Sequence, residues 1–86
     1  MSYPWKVVDV KVVEYPVLLV SFYDGVKGLV KVEPSRMQGI FSVLRDPEFF
    51  KQVSWDEGYV TWPGELDIAP DAMHDQLEAH GEWILT

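Results

Sequence analysis

The sequence predicts a single α+β domain over residues 1–86, with an antiparallel sheet of about five strands covered on one face by two short helices. Three observations predict it. Apolar and polar residues alternate with a period of two from Trp5 to Glu14, the pattern of a half-buried strand. Turn signals at Asp24-Gly25 and Asp56-Glu57-Gly58 separate strand-like runs. Prolines at Asp46-Pro47-Glu48 and Pro70-Asp71 mark helix starts, and a sheet with one apolar face needs such helices as cover.

The first strand runs from Trp5 to Glu14, with Val8, Val10 and Val12 on one face and Asp9 and Lys11 on the other. Tyr15 and Pro16 interrupt it. The second, Val17 to Phe22, sets Leu18, Val20 and Phe22 on one face. A two-residue loop at the following hairpin would pair Phe22 with Lys27 and Leu18 with Lys31, bringing lysines into the core. A three-residue loop of Tyr23, Asp24 and Gly25 instead pairs Phe22 with Val26 and Leu18 with Val30, and keeps that face apolar.

Pro34 ends the third strand, and the stretch to Gly39 reads as a turn or single helical turn ahead of an apolar cluster, Ile40, Phe41, Val43 and Leu44. Asp46 then caps a short helix through Phe49 and Phe50. Gln52–Asp56 and Tyr59–Trp62 form a second hairpin, with Val53, Trp55, Val60 and Trp62 as packing partners. The last helix starts at Pro70, carries Met73 and Leu77 on one side and ends at Gly81; Glu82–Thr86 is left as a tail. No repeat or linker marks a second domain.

Forty-eight per cent hydrophobic residues, with twelve aromatics, supply one modest core without metals or disulfides. Cysteine is absent, which excludes thiolate chemistry and disulfide frameworks and suits a reducing, cytoplasmic compartment. No apolar run is long enough to cross a membrane, so no membrane association is expected. All seven Lys and Arg lie in residues 1–51 beside six acids, a net of +1; residues 52–86 hold eight acids and no Lys or Arg, a net of −8. Such a field repels nucleic-acid phosphates and attracts basic proteins or cations, although acids of this kind also serve simply as a solvating surface.

The segment Trp62–Asp71, WPGELDIAPD, is the most specific in the chain. Pro63 and Pro70 fix their own φ and Gly64 permits a sharp turn, so a shaped loop is expected there. Together with the YDG hairpin, GLVKVEP and GIFSVLRDPEFFKQV, this ending resembles a widespread small bacterial family that is formally a domain of unknown function, over Trp5 to about Leu77, leaving 78–86 as a C-terminal tail. The resemblance implies a small α+β domain and no established activity. Some relatives carry an added C-terminal helix-turn-helix, and some are encoded beside small proteins resembling toxins of two-gene modules.

Candidate chemistry is sparse. Glu65, Asp67 and Asp71 could converge on a hard cation such as Ca²⁺ or Mg²⁺, but their spacing fits no known loop. Their structural roles are the simpler expectation: Asp67 accepting backbone N–H groups that hold the turn between Trp62 and Pro70, and Asp71 at the positive start of a helix. His74 and His80 are six apart, too far for an i, i+4 metal pair, and are expected as exposed helix residues. None of Ser21, Ser35, Ser42 and Ser54 sits in a nucleophile elbow, and the faint phosphate-loop echo in Ser35–Gly39 lacks its strand-to-helix context. Trp5, Trp55 and Trp62 are expected in the core, whereas Trp83 has no obvious slot there and either folds back onto the Pro70 helix or anchors a partner.

No catalytic residue, metal ligand or cofactor is therefore assigned. The expected function is a non-catalytic protein-binding module, antitoxin-like, that pairs with a small basic protein through Trp83, Ile84 and Leu85 and binds no nucleic acid by itself. The alternative is a small-ligand or metal-binding protein or an enzyme with its site at the loop of Trp62, Pro63, Gly64, Asp67, Pro70 and Asp71.

Overall fold

The computed structural model describes residues 6–56, 58–64 and 66–85, so Trp5, the middle of the Asp56-Glu57-Gly58 turn, Glu65 and Thr86 lie outside the described residues. Seven strands and two α-helices follow one another as β1 (Val7–Glu14), β2 (Val17–Phe22), β3 (Lys27–Val32), α1 (Pro47–Phe50), β4 (Ser54–Asp56), β5 (Tyr59–Trp62), β6 (Leu66–Ile68), α2 (Pro70–His80) and β7 (Glu82–Leu85). Two 3-10 stretches, Pro34–Arg36 and Gly39–Arg45, connect β3 to α1. The class is α+β. The single five-stranded antiparallel sheet is not found: there are two sheets, ordered β1-β2-β3-β7 and β4-β5-β6, and β7 runs parallel to β3.

The β2–β3 hairpin takes the three-residue loop. The Phe22 N–H donates to the Val26 carbonyl at 2.8 Å, Leu18 lies opposite Val30, and Gly25 has φ 93°. The lysines consequently stay on the outer face. In β1 the expected face is wrong at its start: register shifts between Val7 and Asp9 bury Val7 and leave Val8 41% exposed. Asp46 caps α1, its Oδ1 accepting from the Glu48 N–H at 3.0 Å.

One core joins the inner face of the four-stranded sheet to Val60, Trp62, Leu66 and Ile68 of the smaller sheet, and includes Met37 and Leu44 of the connector, Phe50 of α1 and Met73 and Leu77 of α2. Trp62 is buried as expected and its Nε1 donates to the Phe50 carbonyl at 2.9 Å. Trp55, by contrast, lies outside the core. It is 42% exposed, because β4 is a three-residue edge strand with no buried position. The sheets meet where the Val7 N–H donates to the Gly58 carbonyl at 2.8 Å, which leaves β6 and β7 as the far edges.

Gly81, with φ 75°, closes α2 by donating its N–H to the Leu77 carbonyl, and its own carbonyl accepts from Leu29 of β3. This crossing is possible only at a glycine. A Cβ on Gly28 would overlap the Gly81 carbonyl oxygen and come within 2.9 Å of Leu77 Cδ2. Gly28→Ala should therefore lower the unfolding free energy by about 3 kcal/mol, the scale of overpacking against groups that cannot move aside, as read by urea denaturation.

Candidate functional site

The segment from Trp62 to Asp71 divides among three elements. Trp62 ends β5, Pro63 and Gly64 (φ 90°) make the turn to β6, and Pro70 opens α2 with Ala69 as its cap residue. What reads as one loop therefore contains a strand. Leu66 and Ile68 point into the core, and Asp67 between them points out. Asp67 does not hold the turn through backbone donors among the described residues; its Oδ1 accepts from the Thr61 hydroxyl at 2.6 Å, across the β5–β6 ladder. Asp71 is exposed in the first turn of α2 and accepts from the Ala72 N–H at 2.9 Å. Asp67 and Asp71 join no metal-ligating group among the described residues.

The residues left as a tail form β7. Leu85 is buried at 8% exposure, Trp83 is half-buried opposite Val30, and Ile84 is 51% exposed. The chain after Gly81 thus completes a sheet, and the three residues occupy an inner face, an outer face and an edge at once.

The two segments singled out by sequence meet at one groove of about 430 Å³. Asp67, Ile68 and Ala69 line it from one side and Trp83, Ile84 and Leu85 from another, with Arg36 and Phe41 on the connector. The connector is braced by Arg45, whose guanidinium donates to the carbonyls of Met37 and Pro34 at 2.9 and 3.1 Å. On that brace the Arg36 guanidinium stands 5.7 Å from the Phe41 ring centre, a cation–π distance. Asp67 and Arg36 present opposite charges to the groove without forming an ion pair with each other. Among the described residues no serine hydroxyl is bonded to a histidine.

His74 departs from the expectation for an exposed helix residue. It is buried, and its Nε2 lies 2.8 Å from Oδ2 of Asp24, fifty positions away in the β2–β3 turn. Its ring also stands edge-on to Phe22, 5.0 Å between centres. His80 does lie exposed. The sequence signal for this burial is helical spacing, since Pro70, Met73, His74 and Leu77 follow i, i+3, i+4, i+7 and put His74 on the apolar stripe.

The His74 hydrogen bond, followed by the Val26 N–H on Oδ1, holds the Asp24 carboxyl below the ordinary aspartate value of 3.8. The unfolded chain then binds the proton first. Asp24's contribution to stability is in place above 3.8 and is lost as pH falls through the lowered folded value. Denaturant titrations on the acid side of 3.8 should show a shallower loss in Asp24→Asn than in the parent, and equal slopes would mean the pair is not the source.

No helix among the described residues is long and apolar enough to cross a membrane. No curated protein and no solved structure matches the sequence. The sequence profile of one family, described as a protein of unknown function, matches residues 7–78, which takes in both hairpins, the Trp62–Asp71 segment and most of α2, and the chain accordingly belongs to the DUF2442 family.

Proposed function

We infer that the chain is a non-catalytic protein-binding module whose docking site is the groove between β6 and β7. The observation that carries this is the pair of free strand edges. Each sheet has at one end a short strand, β6 or β7, whose outer edge no other described strand pairs, and both strands line the same groove. Unpaired edges are templates for an added strand, and the partner's side chains would supply specificity through alternate contacts. The carbonyls of Gly81 and Leu85 point toward β3, so the period of two turns those of Glu82 and Ile84 outward.

Charge selects the partner. The elements β6, α2 and β7 carry Asp67, Asp71, Asp75, Glu78 and Glu82 and no Lys or Arg, a surface that steers a basic protein toward the groove. Trp83 and Ile84 supply apolar contact there, and Arg36 offers donors for a partner's carbonyl or carboxylate. An antitoxin-like role toward a small basic protein fits this surface and the resemblance to chains encoded beside toxin-like proteins. The rival, a small-ligand or enzyme site, rests on Asp67 and Arg36 facing one groove of drug-sized volume.

A point change tests the module better than removal of the strand, because deleting β7 would also take Leu85 out of the core. Ile84→Arg should keep the melting temperature. It should weaken binding of the protein captured by the parent chain from its native host by at least about tenfold in titration calorimetry with purified partner. Undiminished binding would reject the edge as the docking site. A small metabolite that raises the melting temperature of the parent but not of Arg36→Ala would favour the rival.

Nucleic acid is not the partner on this reading, since non-specific affinity comes from phosphate neutralisation. Fluorescence anisotropy with single- and double-stranded DNA and RNA at low salt should show no binding. Salt-sensitive micromolar affinity would overturn the exclusion.

A further inference from the structure

We propose that Asp24, His74 and Glu78 form a binding site for a divalent ion of zinc's class. The three contribute one ligand atom each, and these atoms lie within 4.8 Å of one another. They come from two elements. His74 and Glu78 stand one helical turn apart on α2, and Asp24 is brought to them by the β2–β3 turn. None of the three lines the groove.

His74 makes this more than a group of surface acids. Its side chain is only 7% exposed and its Nε2 faces a carboxylate, with the Phe22 ring packed nearly perpendicular against it. A preset imidazole nitrogen with two carboxylate oxygens is a zinc-type donor set, whereas Ca²⁺ and Mg²⁺ call for oxygen alone. The other ring nitrogen, Nδ1, stands 3.9 Å from Oδ1 of Asp75, so a further negative charge backs the ligand face.

The change on binding is small. Two ligands on a tetrahedral zinc ion at about 2.0 to 2.1 Å stand roughly 3.3 Å apart. The present 2.8 Å between His74 Nε2 and Asp24 Oδ2 must therefore open slightly, and the exposed turn bearing Asp24 can yield. The ion takes the place of the hydrogen between that pair: the neutral imidazole binds through its bare Nε2 and carries its one N–H on Nδ1, on the side of Asp75, while Glu78 closes the third position. One coordination position remains for water or a ligand atom from a bound molecule. The ion would lock the β2–β3 hairpin to α2 more firmly than the hydrogen bond does.

The test uses the full chain, freed of metal by chelation, titrated with zinc chloride by calorimetry and melted with and without the ion. One zinc per chain and a raised melting temperature are expected, with no comparable effect of calcium or magnesium. Glu78→Gln is the decisive variant: Glu78 is exposed and outside the Asp24–His74 bond, so the metal-free melting temperature should stay, while zinc affinity should fall by at least about tenfold. His80→Ala should leave affinity unchanged, and visible absorption of the cobalt-substituted chain should change in Glu78→Gln. The proposal is overturned if zinc does not bind in the micromolar range, or if Glu78→Gln binds it as the parent does.

Discussion

The bare backbone of Gly28 is the constraint on which the rest of the structure depends. With no Cβ at that position, the end of α2 settles against β3 closely enough for Leu29 to donate to the Gly81 carbonyl. Everything that follows α2 is aimed by that contact. Gly81 turns the chain in the left-handed region and delivers β7 alongside β3, parallel to it. The same seating lowers His74 onto the Asp24 turn and carries the start of α2 to one wall of the groove.

The smaller sheet depends on a different contact. Its three strands are short, and an isolated ribbon of that size is marginal in water. Trp62 holds it to the rest by burying a large ring 5.6 Å from Phe50 and donating from its indole to the Phe50 carbonyl, so β5 and α1 stand or fall together. Tyr15 adds a second tie, its ring edge-on to Phe50 and its hydroxyl donating to the Leu44 carbonyl at 2.8 Å. The 3-10 connector that carries Arg36 is thereby fixed from both ends.

How much of this was legible in the sequence follows the range of the interactions involved. The three-residue hairpin, the Asp46 cap, the Pro70 helix and its Gly81 stop are set within a few residues, and each is found where local chemistry puts it. The strands β6 and β7 leave no such local trace. Three residues between a turn and a proline leave little room for alternation to register, and β7 exists only because β3 offers an edge to it. The exposure of Val8 and Trp55 has a related cause: a register shift and an edge position are properties of the partner strand, not of the segment. The groove was half visible, since both of its named walls were marked in the sequence, but nothing local said that they meet. The Asp24–His74 pair, fifty positions apart, leaves only the helical spacing of His74 as a trace.

The parallel pairing of β3 with β7 also shapes how the molecule comes apart. The β1–β2–β3 meander closes through short turns, whereas joining Leu29 to Glu82 requires the ends of most of the intervening chain to be brought together. Non-local pairing of this kind is slow to form and contributes late along the folding coordinate. Opening should follow the same seam: α2 and β7 lift as one cooperative unit, because the Gly81 turn binds them to the same place on β3. Amide protons of β7 would then exchange with solvent at the rate set by α2, and any molecule seated against both would slow the exchange of the two together.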